Sequence, residues 1–174
     1  MTSNAMVHEG LEGVVVTRTK LSRVDGEKGE LVYAGADVEA LAGKATFEAV
    51  GERLFRAVGL DATGLAHRIG EGRVRAHAEL GRIGSVLASR PDAMDALRAG
   101  VAALPAEFAA DPAWLVGAVG VLAAAHAGRS SDAPDPRRGH AEDLLRLYGI
   151  EPSGARAAAL DTYLVTVADH GMIA

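Results

Sequence analysis

The sequence contains no cysteine. Disulfide staples and thiolate-ligated metals or clusters are thereby excluded, and a chain without thiols fits a reducing compartment. Aromatic residues are scarce, at 4 %, so the interior has to be closed by small and aliphatic side chains rather than by rings. There is no excess of positive charge: the net charge is −5 and the pI about 5.7. A general binder of nucleic acid or of an anionic membrane surface is not expected. No apolar run reaches the roughly 18–20 residues that cross a bilayer. The longest, Ala113 to Ala127, is interrupted by His126 and reads as a helix buried within protein. No charged-then-apolar leader opens the chain, which predicts a cytoplasmic protein. The G-x-G-x-x-G fingerprint, the phosphate-binding loop with its lysine and the nucleophile elbow are all absent, as is any serine or threonine in the setting of an activated nucleophile. No cofactor is expected.

What is present points to closely packed helices. Hydrophobic residues make up 49 % of 174 residues, with alanine abundant and 21 glycines. That is one domain by length, with ample core material, and its alanine content favours helix. The mean hydropathy of +0.12 is high for so acidic a chain. Either burial is unusually thorough, or apolar surface is kept for a partner.

Residues 1–9 read as a disordered lead and 10–174 as a single domain, with a β element over 10–35 and helices over 36–174. Val14–Thr17, Leu21–Val24 and Glu30–Tyr33 are short extended segments, the last two separated by the glycine-containing turn 25–29. From there the periodicity is helical. Asp37 caps a short helix stopped by Gly43. Thr46 caps the next, with Phe47, Val50, Leu54, Phe55 and Val58 on its apolar stripe and Gly59 at its end. The span 61–88 is one long helix, or two with a break at Gly70–Gly72. Asp92 caps a helix with Met94, Leu97, Val101 and Leu104 on one face. Asp111–Pro112 sets a capping carboxylate before a first-turn proline, and Asp135–Pro136 repeats the device. Pro152–Ser153 opens the last helix. The expected fold is mainly α, about seven helices with a small N-terminal β-hairpin.

Most titratable residues have a plain structural reading. Arg68, Arg73, Arg75 and Arg82 interleave with Asp61, Glu71 and Glu79, the pattern of a solvated helix face. His67 and Glu71 lie four apart among these arginines and His77 follows. A metal or small-ligand site built from His67, His77 and His140 would need one shared buried face, so no metal is expected. His126 ends an apolar helix, where the helix dipole favours it. His140 is expected to cap or to make a core hydrogen bond.

The final stretch differs. Leu160, Tyr163, Leu164, Val167 and Ala168 follow an i, i+3, i+4, i+7, i+8 pattern, one stripe of an amphipathic helix. Asp169, His170 and Gly171 come next, a carboxylate, an imidazole and a helix-ending glycine, delivered by that helix to a cleft.

Several segments, in order, resemble citrate synthase in its shorter bacterial form. Gly10–Val15 is similar to the family's opening G-L-E-G-V strand. Gly29–Ala42 resembles its G-x-L-x-Y-R-G-Y-D-I-E-x-L-A, with Ala34 in place of the arginine, and Thr46–Val50 its T-F-E-E-V. Met94–Arg98 is similar to P-M-D-x-L-R, Pro134–Ala141 to the loop before G-H-A-x-x-F-L, and Ala168–Met172 to the start of D-H-x-x-N-A-S, with Ile173 at the asparagine position. The resemblance implies a mainly helical large domain with a β element in front. It implies a Claisen condensation of acetyl-CoA, or propionyl-CoA in the methylcitrate branch, with oxaloacetate, and a homodimer. Of the family's site residues only one transfers: His170, which would contact the oxaloacetate or citrate carboxylate. The family's G-P-L-H-G, G-H-x-V-Y and catalytic-aspartate segments have no counterpart in these 174 residues. The chain therefore reads as an N-terminal half, inactive alone, whose partner is a second copy or a complementary C-terminal half. The competing expectation is a non-enzymatic helical dimerisation module on the same fold.

Overall fold

The computed structural model of the chain describes residues 19–129 and 132–169. The lead 1–9, the opening segment 10–18 with the strand expected at Val14–Thr17, and His170 lie outside the described residues. The chain begins in a three-stranded antiparallel sheet, β1 Ser22–Asp25, β2 Glu30–Tyr33 and β3 Ala36–Asp37, in the order β1-β2-β3. The β1–β2 register pairs Ser22 with Tyr33 and Asp25 with Glu30 around the expected glycine turn. The β2–β3 loop is only Ala34–Gly35, and both residues are left-handed, Ala34 at φ 45° and Gly35 at φ 83°. A two-residue hairpin needs this geometry, which glycine adopts freely and alanine does not. Arg53 donates to the Ala34 carbonyl at 3.1 Å and steadies the turn.

The helices are α1 Val38–Leu41, α2 Phe47–Ala57, α3 Leu65–Ala88, α4 Ala93–Ala103, α5 Pro112–His126, α6 His140–Leu147 and α7 Gly154–Thr166, with a 3-10 turn at Ala106–Ala110. Five begin as the sequence predicts. Asp37, Thr46, Asp92, Asp111 and Ser153 each accept a backbone N–H from the first turn they open. Asp135–Pro136 does not start a helix. It makes a turn in which Asp135 accepts the Arg137 N–H at 3.0 Å, and α6 starts five residues later, at His140, behind Gly139.

The span 61–88 holds a single helix rather than two. Gly70 and Gly72 do not break α3 because they are where other backbone comes closest. A Cβ on Gly72 would stand 2.5 Å from Trp114 Cα, and one on Gly70 2.8 Å from Pro136 Cα. From the facing side, a Cβ on Gly117 would stand 2.8 Å from Arg73 N and collide with the Ile69 carbonyl. Helices α3 and α5 thus cross backbone to backbone. Around that crossing lies the main core, with Ala76, Ile83 and Leu87 of α3, Ala118, Val121 and Leu122 of α5, and Ala96, Leu144 and Leu147 from the helices beside them. A smaller core joins Tyr33, Val38, Val50 and Leu54 to Val165 of α7.

Three expected stripes hold in the main, with Leu97, Val101 and Leu104 of α4 packed inward, and each loses a residue or two. On α4, Ala96 and Gly100 are buried and Met94 is exposed, because a helix held this close to Leu87 and Leu122 accepts only the smallest side chains. On α2, Val58 is exposed past the helix end. On α7, Val165 is buried while Tyr163 and Val167 face outward, so the stripe narrows to Leu160, Leu164, Val165 and Ala168. The helix ends at Thr166, which stops Val167 from continuing the pattern.

Substituting alanine for glycine should separate the two uses of this residue. Gly117→Ala gains about 1 kcal/mol of helix propensity but overpacks a backbone contact, which typically costs about 1–3 kcal/mol. We expect a net loss of stability by urea unfolding. Gly81→Ala, on the open side of α3 with nothing within 4 Å, is expected to raise stability by up to about 1 kcal/mol. A stabilising Gly117→Ala would refute the backbone crossing.

Candidate functional site

The end of α7 is fixed from the opposite end of the chain. Tyr33 is fully buried, and its hydroxyl donates to the Thr166 carbonyl at 2.9 Å. That carbonyl belongs to the last turn of α7, one of those no helical N–H reaches. Burial raises the pKa of the Tyr33 phenol, so it is a proton donor throughout the neutral range. Further up the helix, Asp161 accepts the Phe47 N–H at 3.0 Å, at the start of α2. Burial raises the Asp161 pKa against that bond. The hairpin and α2 thus hold both flanks of the helix that leads to Asp169. Asp169 is half-buried, and its buried Oδ2 has no hydrogen-bond partner among the described residues. His170, the one residue with an expected substrate contact, is the next residue and lies outside the described residues. Beside this end is an apolar cavity of ≈ 100 Å³ between α2, α3, α5 and Ala168.

The strongest polar constellation is one the sequence reading placed on a solvated face. Arg73 is fully buried and belongs to no such face. Its Nε donates to Asp143 Oδ2 at 2.7 Å, and its Nη2 to the carbonyls of Asp135 and Arg138 at 3.2 and 2.9 Å. Its Nη1 is 3.0 Å from His140 Nδ1. A guanidinium only donates, so Nδ1 accepts and the ring proton sits on Nε2. Burial lowers the Arg73 pKa and Asp143 opposes that. The guanidinium stays charged, since arginine does not deprotonate in proteins. His140 stacks on Phe47 at 5.2 Å between ring centroids. Its backbone N–H donates to Glu48 at 2.6 Å, which ties α6 to α2. Burial, then the Arg73 charge, pushes the His140 pKa down to about 3. Asp143 also accepts the Asp135 N–H and two bonds from Arg146. The signal for this network is in the sequence: Arg73 falls among Ile69, Ala76 and Ile83 on the apolar face of α3, and Asp143 lies between Ala141, Leu144 and Leu147.

The other expected residues disperse. Arg68 makes a two-pronged pair with Asp111 at 2.6 and 2.8 Å, fixing the start of α5 to α3. That bond holds the Asp111 carboxyl below the usual carboxylate range. Arg75 stacks on Trp114 at 4.0 Å, and Arg82 pairs with Glu79. His67 is exposed, 3.6 Å from Glu71, His77 is half-buried, and His140 lies in the interior against Arg73. The three do not share a site, and among the described residues no group of three or more His, Asp or Glu side chains is placed to hold a metal ion. His126 ends α5 with Nδ1 3.3 Å from the Leu87 carbonyl.

Comparison with known proteins places this arrangement. A family model described as citrate synthase, C-terminal domain, matches residues 10–174. A citrate synthase of Haloferax volcanii is 35% identical, over 94% of this chain and 49% of its own length. A 2-methylcitrate synthase of Mycobacterium tuberculosis is 31% identical, over 95% of this chain and 46% of its own. Among solved structures, citrate synthase from Pyrobaculum aerophilum superposes with a TM-score of 0.72 at 25% identity, over 92% of this chain and 46% of that one. Citrate synthase from Thermoplasma acidophilum, solved in a ternary complex with carboxymethyl coenzyme A and oxaloacetate, gives 0.74 at 24% identity, over 97% and 50%. The chain spans about half the length of the relatives it matches.

His140 should dominate the mild-acid stability profile. Between pH 6.5 and about 3 the unfolded chain binds a proton that the folded chain refuses, so stability falls as pH falls through that window. The loss should approach about 3 kcal/mol by pH 4, at about 1.4 kcal/mol per pH unit below the unfolded pKa. Carboxylates with lowered pKa, such as Asp111, add their losses only below about pH 4. His140→Gln keeps an acceptor for Arg73 and removes the titration, so its urea midpoint should vary much less between pH 6.5 and 4. An unchanged slope would assign the acid loss elsewhere.

Proposed function

The chain belongs to the citrate synthase family, and we propose that it supplies the opening, mainly helical half of a condensing enzyme that joins an acyl-CoA to oxaloacetate. The observation that carries this reading is the continuous match of residues 10–174 to relatives twice as long. The matching family model is described as a C-terminal domain. The order of motifs, G-L-E-G-V first and D-H last, is what favours the opening half. In this reading the histidine after α7, His170, donates to a carboxylate of oxaloacetate or citrate. The proton-abstracting aspartate and the carbonyl-polarising histidine come from a second polypeptide or a further stretch of chain. Claisen chemistry needs a base at the acyl methyl and a donor at the carbonyl that becomes an enolate. Among the described residues, the buried acid–base groups near α6 cannot serve. His140 accepts from Arg73 and is flanked by Phe47, while Asp143 is saturated by Arg73, Arg146 and the Asp135 N–H.

The partner is a complementary half, and the assembled enzyme is a dimer. Support comes from α5, which is apolar on every side yet leaves Val119 exposed. A helix of that kind belongs inside a larger assembly. Relatives of both types, citrate and 2-methylcitrate synthase, leave acetyl-CoA and propionyl-CoA equally open as substrates.

A thiol-release assay with acetyl-CoA or propionyl-CoA plus oxaloacetate tests the proposal. The chain alone is expected to give no release above background. Addition of the part of the Haloferax volcanii enzyme beyond the matched half is expected to restore turnover, and His170→Ala should lower the restored kcat/KM by about 100-fold or more, as the loss of one charge-stabilising donor does. Turnover by the chain alone would overturn the assignment.

A further inference from the structure

We propose that Tyr33 is a positioning residue for the site that follows α7: its hydroxyl stands in for a helix cap that the sequence does not supply there, and fixes the backbone leading into Asp169 and the histidine next to it. The inference rests on the two-part reading above, in which that histidine, His170, meets oxaloacetate. It assigns a residue on which that contact depends.

Three helices close their ends with glycine. α2, α5 and α6 are followed by Gly59, Gly128 and Gly149, left-handed at φ 78°, 70° and 71°. The next N–H then turns back onto the last turn: Leu60 to the Phe55 carbonyl, Arg129 to that of Ala124 and Ile150 to that of Leu145, at 2.8–2.9 Å. α7 ends differently. Its corresponding position is Ala168, which is not left-handed, since Ala34 is the sole non-glycine with positive φ among the described residues. Asp169 makes no return bond to the Leu164 carbonyl. The Thr166 carbonyl is taken instead by the Tyr33 hydroxyl, at 2.9 Å. The N–H groups of Asp169 and Ala168 approach the same oxygen, where they oppose the rise in pKa that burial gives the phenol. A left-handed glycine would let backbone groups of both kinds pair with each other. Here one hydroxyl serves both.

The place of that hydroxyl is set by the sheet and not by α7. Tyr33 pairs with Ser22 on one side and Ala36 on the other. Its ring is fully buried in the small core with Val38, Val50, Leu54 and Val165. The end of α7 is therefore referred to the hairpin through a bond at Thr166, just ahead of Asp169. A side chain that orients a substrate works only when its support holds it to within about 0.5 Å. A misplacement of about 1 Å can cost about 100-fold in rate. Loss of the ring would also remove core packing, but loss of the oxygen alone removes only the cap. The two uses of Tyr33 can thus be separated.

The test co-expresses the chain with the part of the Haloferax volcanii citrate synthase beyond the matched half. Thiol release is measured against oxaloacetate and against acetyl-CoA or propionyl-CoA in turn. Tyr33→Phe keeps the ring and removes the hydroxyl. It is expected to raise the KM for oxaloacetate by about tenfold or more and to leave the KM for the acyl-CoA unchanged. Hydrogen exchange of the chain alone, read over 164–169, is expected to speed up by about tenfold or more, while α3 and α5 keep their rates. Val50→Ala removes packing from the same small core. It should lower the melting temperature and leave the oxaloacetate KM unchanged. If both variants move that KM alike, Tyr33 serves the core and the inference fails. Unchanged exchange over 164–169 overturns it too, as does faster exchange with an unaltered oxaloacetate KM, which would make the bond a cap with no part in binding. No turnover from the wild-type pair overturns the two-part reading and this inference with it. Turnover that Tyr33→Phe leaves unaltered overturns the inference alone.

Discussion

Arg73 gives up all of its water to sit between α3, α6 and the loop before α6, and the arrangement of the molecule depends on what it receives in return. Burying a guanidinium is costly, and a paired carboxylate offsets that cost only when the remaining donors are also used. Here Asp143, two backbone carbonyls and an imidazole nitrogen take four of its five N–H groups, with every nitrogen engaged. The pair is therefore less a source of net stability than a statement of position. Any displacement of α6, or of the turn at Asp135–Arg138, leaves a buried charge unmet. Such a loss typically amounts to about 3–5 kcal/mol when one partner is removed. This holds a loop in place that has no regular structure of its own.

The same constraint explains the composition. An arginine reaches from α3 to α6 only if little stands between, and a main core with one tryptophan and few other rings has to be closed by proximity instead of volume. Gly72 and Gly117 let α3 and α5 meet at the backbone, and Gly100 admits Leu87 and Leu122 against α4. Close approach also brings Trp114 to the edge, where Phe108 meets its ring edge-on and Arg75 covers its face. The scarcity of aromatics and the abundance of glycine are two sides of one packing solution.

Local chemistry was the most legible part of the sequence. Caps at Asp37, Thr46, Asp92, Asp111 and Ser153 depend on a side chain and an N–H two or three residues away, so their spacing carries the whole signal. Asp135–Pro136 has the same local signature and fails as a helix start, because Arg73 holds the following carbonyls in a turn. That competitor is more than sixty residues away. The glycines of α3 read as helix breakers for the same reason, since their partners lie on α5 and in the loop before α6. Arg73 itself was misread by the charges around it. The apolar residues one turn before and after it, Ile69 and Ala76, were the better guide. His170 was legible only through its resemblance to a family motif.

The long-range contacts have a consequence for assembly. Tyr33 meets Thr166 across 133 residues and Phe47 meets Asp161 across 114. The entropy of closing those loops is spent when this chain folds, before any partner arrives. A site built at the end of α7 would otherwise have to order that helix on binding, and the ordering would be subtracted from the affinity. With the hairpin and α2 holding both flanks, the second polypeptide of the proposed two-part enzyme would meet a helix end already fixed in place. The main core at the α3–α5 crossing does not contain these tethers, since they belong to the smaller core of Tyr33, Val50, Leu54 and Val165. The scaffold therefore divides its labour: one core sets the stability of the helices, and the other sets where the last of them points.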